Sequence, residues 1–268
     1  MTNELIETFA EGVATLTMNR PQARNAMSAD MMNAMSEAVP RLASDPKVRL
    51  VVLTGAGNAF CAGGDVKGFA ADARGSDNAT IATVEQRVAE LRERTRVSEF
   101  LYEMPKPTLA IIPGACAGAG LSLALACDLR MVVDTAKITT AFSRIAASGD
   151  YGGSWFMTQL LGAAKARELY FSAEIISGTQ AYELGMANKL VTAETLAEES
   201  QAYIKYLAEL PTLAIAYIKK NINMAQQGSL SRVLDLESGH MIRSMMTEDH
   251  KAAAIAFVEK RPPEFEGR

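Results

Sequence analysis

Two glycine-rich junctions are the candidates for chemistry that stand out in this sequence. One runs from Phe60 to Asp65, and the other runs from Gly114 to Gly120. Each follows an apolar run typical of a buried strand, so both are expected at the carboxyl ends of parallel strands, facing one crevice. Main-chain N–H groups of the two junctions could hold one carbonyl oxygen from two sides. The short apolar helix predicted from Leu121 to Ala126 would favour negative charge at its start.

Residue counts argue against several other chemistries. The only histidines, His240 and His250, lie near the end of the sequence, so neither a Ser-His-Asp triad nor a histidine metal site is expected. Three cysteines without C-x-x-C spacing predict neither a disulfide frame nor a zinc site. A dinucleotide fingerprint would need a third glycine where Leu123 stands, and no phosphate-loop Gly-Lys-Ser/Thr is present. Carboxylates, hydroxyls and backbone groups remain.

One carboxylate, Asp150, stands in a loop rich in glycine. The surrounding sequence is Ser148-Gly149-Asp150-Tyr151-Gly152-Gly153-Ser154-Trp155. The glycines predict a turn toward a helix that begins near Ser154, and Asp150 could simply cap that helix. Alternatively, an apolar pocket formed by Phe142, Trp155 and Phe156 would raise the pKa of Asp150, which would help it exchange protons near neutrality.

The elements that must position these residues alternate between strands and helices. Ser28 is a predicted N-cap of a helix whose apolar residues recur at helical spacing. Residues 70–79 are predicted to form a mobile loop before a helix that begins near Thr80. Alternation of this kind predicts a largely parallel sheet with crossover helices. The predicted strands are Gly12 to Met18, Val48 to Leu53, Thr108 to Ile112 and Leu129 to Val133.

The last third of the sequence is almost purely helical in pattern. Thr195 and Glu198 match a capping box, and Gly185 stands where a helix would end. We therefore predict an α/β core over residues 1–200 and a C-terminal helical region over residues 201–268. The predicted helices are Ser154 to Phe171, Thr195 to Leu210, Leu213 to Gln226, Leu230 to Met246 and Thr247 to Arg261.

Composition narrows the class of protein. The 268 residues, 49% of them hydrophobic and 22% charged, are those of an ordinary soluble globular protein. A net charge of −4 argues against nucleic acid as a partner. No apolar run approaches the roughly 18–20 residues that a membrane-spanning helix needs, so no membrane association is expected. The first ten residues lack a signal-peptide pattern, and a cytoplasmic location is expected.

Taken in order, several motifs resemble the crotonase, or enoyl-CoA hydratase/isomerase, superfamily. The resemblance implies an α/β fold, a spiral of ββα units with a C-terminal helical region that packs homotrimers, often paired into hexamers. It also implies an acyl-CoA thioester substrate, with coenzyme A as part of the substrate and no separate cofactor or metal. The motifs are Asn19-Arg20-Pro21 with Arg24-Asn25-Ala26, Phe60 to Asp65, Gly114 to Asp128, Gly152-Gly153, and Phe257 to Arg261.

The resemblance assigns the two glycine-rich junctions to the reaction centre. Ala62 and Ala119 match the positions whose backbone N–H groups form the family's oxyanion hole for the thioester oxygen. Gly63, Gly64 and Asp65 are implied, together with Ala62, to line the coenzyme A channel. Asp65 is expected to hold the loop or start the next helix rather than to react.

Other residues are implied to hold the substrate farther from the reaction centre. Arg24 lies where the family approaches the coenzyme A phosphates. Phe257 and Lys260 match residues that a neighbouring subunit lends to the adenine end. Phe142 is a further expected substrate contact.

The sequence departs from the family's hydratases at their two catalytic glutamates, whose positions are Ser122 and Phe142 here. Neither side chain can shuttle a proton as a carboxylate does, so water addition by the two-glutamate route is not expected. Some isomerases and a dehalogenating branch place their acting aspartate at the position of Asp150, and Asp-x-Gly-Gly-Ser/Thr-Trp resembles the isomerase form. We therefore favour a Δ3-Δ2 enoyl-CoA isomerase with Asp150 as the proton carrier.

Three alternatives stay open at this point. A hydratase could act without the two glutamates if Asp150 or an acid from residues 70–79 activated water. A dehalogenase-like hydrolase would use Asp150 as nucleophile, but that branch also employs an upstream histidine, and this sequence has none before His240. A non-catalytic acyl-CoA-binding scaffold would also fit the loss of both glutamates.

Overall fold

The computed structural model describes residues 4–65 and 83–268. The predicted loop over residues 70–79 and the predicted helix start near Thr80 lie outside the described residues. The strands are β1 (Leu5–Ala10), β2 (Val13–Met18), β3 (Leu50–Gly55), β4 (Ala59–Cys61), β5 (Thr108–Ile112), β6 (Ala115–Ala117), β7 (Leu129–Val133), β8 (Lys137–Thr139), β9 (Ile176–Ser177) and β10 (Lys189–Val191). The helices are α1 (Ala29–Ser44), α2 (Val84–Arg94), α3 (Arg96–Glu103), α4 (Ala119–Ala126), α5 (Gly153–Ser172), α6 (Gly178–Glu183), α7 (Leu196–Ala208), α8 (Thr212–Ala225), α9 (Leu230–Met245) and α10 (Glu248–Val258).

The larger sheet has six strands in the order β1-β2-β3-β5-β7-β10. Only the β1–β2 pair is antiparallel, so the predicted, largely parallel sheet is confirmed. Its central strands are buried on both faces: Val51 and Leu53 of β3 join one hydrophobic cluster, whereas Leu50 and Val52 join the other. This arrangement explains why β3 is a continuous apolar run in the sequence.

A second sheet, in the order β4-β6-β8-β9, runs through the predicted glycine-rich junctions. Both junctions were expected to be loops, but the three-residue strand β4 ends within the first and the three-residue strand β6 lies within the second. Those two strands pair in parallel, with Ala59 opposite Ala115 and Cys61 opposite Cys116. Consecutive strands thus alternate between the two sheets before a helix follows, as in β5-β6-α4 and β7-β8-α5. The predicted spiral of ββα units is confirmed.

The predicted helices are present, and their ends follow local capping. Ser28 accepts a hydrogen bond from the Met31 N–H at the start of α1, as expected. The predicted capping box at Thr195 is wrong, because Thr195 already has helical backbone angles and its side chain caps nothing. Its hydroxyl accepts instead from the Thr192 N–H. The predicted domain boundary after residue 200 falls inside α7, and the division into two domains stays a prediction.

The helical region is fastened to the sheets by a buried ion pair. Lys219 of α8 lies 2.8 Å from the carboxylate of Asp128, at the end of α4. Lys219 also donates to the main-chain oxygens of Leu101 and Lys106, while Asp128 accepts from Thr108. Because a buried charge must be paired, this network fixes where α8 lies. Among the helices of the described residues, none is long and apolar enough to cross a membrane.

Candidate active site

The second sheet brings the two glycine-rich junctions into contact. Gly63 has a φ of +92°, and a Cβ built on it would lie 2.9 Å from the Ala117 oxygen and 3.5 Å from the Ala119 nitrogen. Only glycine suits both this backbone conformation and this close approach. The junction after β4 therefore lies directly against the start of α4, as the sequence predicted.

The Ala119 N–H is oriented as a candidate oxyanion donor. Ala119 is the first residue of α4, whose eight residues are all buried. Within residues 4–65 and 83–268, no acceptor is found for its N–H, whereas the neighbouring Gly118 N–H donates to Thr139. An unpaired N–H at the positive end of a buried helix favours an oxygen that gains negative charge.

The second predicted donor, Ala62, requires a correction. Its N–H donates to the main-chain oxygen of Arg24 at 2.9 Å and is therefore not available to a ligand. The Met27 N–H donates to the Gly63 oxygen at 2.8 Å, and a trans peptide places the following N–H, that of Gly64, on the opposite side. Among the described residues the Gly64 N–H has no acceptor, which makes it the available donor of this junction.

An ion pair holds the end of this junction in place. The Arg20 guanidinium lies 3.2 Å from the Asp65 carboxylate and also donates to the Ala26 oxygen at 2.7 Å. Asp65 thus holds the loop, as expected. Glu4 provides Arg20 with a further carboxylate at 3.3 Å.

Asn25 fastens the same junction from beneath, a role that the sequence did not predict. Its fully buried side chain donates to the main-chain oxygens of Ala56 and Ala59 and accepts from the Arg20 N–H. Asn25 has a φ of +57°, a conformation that asparagine tolerates better than most residues. The Asn-Arg-Pro and Arg-Asn-Ala motifs are therefore the support of the β4 junction.

Asp150 lies in the loop between a 3-10 turn, Phe142–Ile145, and helix α5. Its Oδ1 is buried and accepts no hydrogen bond from any described residue. Burial raises the pKa of the Asp150 carboxyl to about 6. The capping alternative is wrong, because the N-cap of α5 is Gly152 and the Gly153 N–H donates to the main-chain oxygen of Asp150.

Phe142 connects the Asp150 loop with the oxyanion junctions. A Cβ built on Gly118 would lie 3.9 Å from one edge of its ring, and a Cβ built on Gly149 would lie 3.6 Å from another. The ring is buried and forms part of the apolar surface that the sequence predicted for Asp150. The candidate site therefore runs from Gly63 through Ala119 and Phe142 to the Asp150 loop.

Ser122 and Tyr170 meet beside this loop. A Cβ built on Gly153 would overlap the Ser122 hydroxyl and would lie 2.6 Å from the Tyr170 hydroxyl. The Tyr170 ring stacks on Phe142, with ring centres 6.1 Å apart and planes 7° from parallel. Burial, with Asp150 adding to the effect, raises the pKa of Tyr170 to about 12, and a hydrogen bond with Ser122 opposes the shift. No pattern in the sequence singles out Tyr170.

The other predicted pocket aromatics face a cavity next to the loop. Trp155 and Phe156 pack against Tyr102, with ring centres 5.2 and 5.6 Å away. With Tyr151 and Gly152 they line a cavity of about 400 Å³. The cavity therefore borders the end of the loop that carries Asp150, although Asp150 itself does not line it.

The residues expected to contact the phosphates and the adenine end of coenzyme A lie at the surface. The Arg24 side chain is exposed, and its own main-chain oxygen accepts from the Ala62 N–H. Phe257, on α10, is 85% exposed, and Lys260 is exposed just beyond the end of that helix.

The cysteines and histidines lie in different surroundings. The three cysteines are free and buried, and burial raises the pKa of Cys61 to about 12. No cluster of three histidine, cysteine, aspartate or glutamate residues occurs within the described ranges. His240 packs on Tyr217 and contacts Asn221, in the helical region.

Comparison with known proteins gives one consistent result. A family model described as enoyl-CoA hydratase/isomerase matches residues 8–268. The 1,2-epoxyphenylacetyl-CoA isomerase of Escherichia coli K12 is 34% identical, over 96% of each chain. The crotonyl-CoA hydratase of Syntrophomonas wolfei is 29% identical over 95% of each chain. A crystal structure of an enoyl-CoA hydratase from Polaromonas sp. JS666 superposes with a TM-score of 0.88 at 32% identity, covering 98% of this chain and 99% of the other.

Proposed function

Because the chain belongs to the enoyl-CoA hydratase/isomerase family, we propose that it isomerises enoyl-CoA thioesters, with Asp150 as the only proton carrier. The favoured reaction converts a 3-enoyl-CoA into the conjugated 2-enoyl-CoA. Similar proteins are named both as isomerases and as hydratases, so the choice depends on the site itself. The buried Asp150 Oδ1, which receives no hydrogen bond from the residues that the structure describes, is the observation that carries the proposal.

Two backbone donors stabilise the enolate in this mechanism. The thioester oxygen accepts from the Ala119 N–H at the start of α4 and from the Gly64 N–H on the facing junction. Both donors are fixed before the substrate arrives, so no reorganisation is needed when charge develops on the oxygen. Removal of one such donor costs about 10²–10³ in rate in enzymes where the effect is known.

Asp150 then moves one proton within the substrate. Its carboxylate takes a proton from C2, and the electrons of the C–H bond pass into the thioester, which becomes a dienolate. The protonated Asp150 returns the same proton to C4 as the double bond moves from C3–C4 to C2–C3. One carboxylate suffices, because the base of the first step is the acid of the second.

The residues at the two glutamate positions support isomerisation over hydration. Phe142 has no ionisable group and the Ser122 hydroxyl does not ionise near neutral pH, so neither can replace a glutamate as general acid or base. General acid–base help is worth about 10²–10⁴ in rate for each group, so the loss of both would leave water addition slow. A dehalogenase-like hydrolase has less support, since the sequence holds no histidine upstream of Asp150.

The contacts with the remainder of the substrate are inferred from the family resemblance. We propose that Arg24 approaches the coenzyme A phosphates and that the junction from Ala62 to Asp65 lines the channel. Phe257 and Lys260 would contact the adenine end of a neighbouring protomer's substrate, in a homotrimer or a dimer of trimers. Coenzyme A enters as part of the substrate, and no separate cofactor is proposed.

Separate assays with 3-enoyl-CoA and 2-enoyl-CoA test the proposal. Isomerisation of 3-enoyl-CoA without a change in mass is the expected result, followed by absorbance and mass spectrometry. A product heavier by one water would instead identify a hydratase. Tight binding without turnover of either ester would identify a scaffold.

The Asp150→Asn variant tests the assigned base. We expect isomerisation to fall by about 10²–10⁴ while acyl-CoA binding is kept, because only proton transfer is removed. Asp235→Asn, at an exposed position on α9, is the matched control and should behave as the unmodified protein. Unchanged turnover by Asp150→Asn would remove Asp150 from its role.

A further inference from the structure

Tyr170 connects the two positions at which this chain lacks the glutamates of the family's hydratases. Its ring stacks on Phe142, and its hydroxyl meets the hydroxyl of Ser122. Both contacts are direct, although the three residues come from α4, the 3-10 turn and α5. Ser122 and Phe142, which stand at the positions of the two hydratase glutamates, therefore both contact Tyr170.

The same tyrosine also borders the Asp150 loop on two sides. A Cβ built on Gly149 would lie 3.2 Å from the Tyr170 ring, and one built on Gly153 would lie 2.6 Å from its hydroxyl. Gly149 and Gly153 flank Asp150 in sequence. Tyr170 therefore packs against the loop on both sides of Asp150, the carboxylate that would carry the proton.

The Tyr170 hydroxyl has a neutral partner and no acidic role. Its pKa is raised to about 12, chiefly by burial, so it stays protonated at neutral pH. Its hydrogen bond with Ser122 satisfies a polar group that would otherwise attract water into the site. Meanwhile Asp150 Oδ1 is buried and receives no hydrogen bond from the described residues.

We propose that Tyr170 determines reaction specificity by excluding water from Asp150, so that the proton taken from C2 returns to C4 rather than exchanging with solvent. Its ring fills the space against Phe142, and Ser122 holds its hydroxyl. Tyr170 is thus a positioning residue. This inference rests on the proposed isomerase function.

The alternative fate of the intermediate defines what Tyr170 prevents. Water next to Asp150 could exchange its proton for the one taken from C2. Water could also add to the conjugated product, with its oxygen bonding to C3 and a proton bonding to C2 as the C2–C3 double bond is lost. Both outcomes need a water molecule at the carboxylate, and neither occurs if the space stays filled.

Deuterium transfer measures this exclusion directly. Substrate deuterated at C2 is converted in ordinary water, and mass spectrometry gives the fraction of label that reaches C4. We expect most of the deuterium to reach C4 in the unmodified protein. In Tyr170→Ala, which should still isomerise the substrate, the fraction of deuterium that reaches C4 should be at least severalfold lower. The same variant should add water to 2-enoyl-CoA faster than the unmodified protein does.

Two further variants keep the test decisive. Tyr170→Phe keeps the ring and should transfer most of the deuterium to C4. Tyr170→Leu lacks both the ring and the hydroxyl and should transfer less of it. The Tyr170→Leu variant keeps an apolar side chain, so it serves as the test if Tyr170→Ala fails to fold. Tyr182→Ala, at an exposed position on α6, is the control. Equal label retention in the unmodified protein and Tyr170→Leu would overturn the inference while leaving the isomerase proposal intact. Failure of the unmodified protein to isomerise would overturn both.

Discussion

Asp150 couples the proposed reaction to pH, because only its ionised form can accept a proton. Burial raises its pKa from 3.8 to about 6. We therefore expect kcat/KM for isomerisation to fall about tenfold for each pH unit below about 6 and to level off above 7. A pH–rate profile between 4.5 and 8 checks this. Binding of a saturated acyl-CoA over the same range is the control, and a flat rate profile would contradict the assignment.

The same raised pKa makes a separate prediction about stability. A carboxyl whose pKa is higher in the folded than in the unfolded state destabilises the fold when ionised. The cost is present above pH 6 and disappears as the pH falls toward 3.8. Asp150→Asn should therefore be more stable than the unmodified protein at pH 8, by about 1–2 kcal/mol after allowance for partial exposure.

Urea unfolding at pH 8 and at pH 4 measures this difference. The advantage of Asp150→Asn should shrink toward zero at the lower pH, where the Asp150 carboxyl is protonated in the folded protein. Asp235→Asn should show little difference at either pH. If Asp150→Asn is less stable than the unmodified protein at pH 8, the prediction is wrong, and the Asp150 carboxylate has a partner that stabilises its charge.

At the residue scale, the sequence is enough to identify the Asp150 carboxylate but not the groups that surround it. Asp150 can be recognised because glycines flank it and because it begins the Asp-x-Gly-Gly-Ser/Thr-Trp motif that resembles the isomerase form. Ala62 was assigned as a donor because motif position does not reveal which way a peptide points. That direction depends on its hydrogen bond to Arg24, far away in the sequence. Tyr170 was missed because an apolar helix face gives no sign of which residue points toward a site.

At the scale of elements, the β4 junction depends on a glycine that no other residue can replace without strain. Gly63→Ala would introduce a Cβ 2.9 Å from the Ala117 oxygen at a φ of +92°. We expect it to cost about 1–3 kcal/mol of stability. It should also lower kcat by about 10²-fold, because the neighbouring Gly64 and Ala119 donors would shift apart.

Gly185→Ala is the control that separates the effect of backbone strain from the effect of displacing the oxyanion donors. Gly185 follows α6 with a φ of +80°, but a Cβ there would have nothing within 4 Å. It should therefore lose stability without losing kcat. Thermal unfolding and steady-state kinetics on both variants give the comparison. Similar kcat values in the two variants would argue that the β4 junction does not position an oxyanion donor.

Long elements were predictable from sequence, and short ones were not. The strands β3, β5 and β7 can be recognised in the sequence as continuous apolar runs, because both faces of these strands are buried. The strands β4, β6 and β8 have three residues each, too few to show a period, and their glycine-rich flanks indicate loops. Their existence depends on pairing across the chain, which local pattern does not contain. The second sheet, which assembles the site, was therefore missed.

At the scale of the whole molecule, the resemblance predicted the fold and left the assembly open. The helical region presents large apolar side chains to solvent in this single chain, Phe257 and Val258 among them at 85% and 80% exposure. Exposed apolar surface of this kind marks contact with another protein. It supports the proposed trimer, in which α10 of one protomer would reach the substrate of the next.

Complementation between two defective variants tests whether the site is shared between protomers. Lys260→Ala should raise KM about fivefold, the equivalent of about 1 kcal/mol of binding, with kcat unchanged. Asp150→Asn should lack turnover but keep a normal Lys260. If Lys260 is lent in trans, hybrids co-expressed with two tags and purified through both will contain active sites with the normal KM. The same hybrids would show only the raised KM if Lys260 served its own protomer, since no active site would then contain both residues.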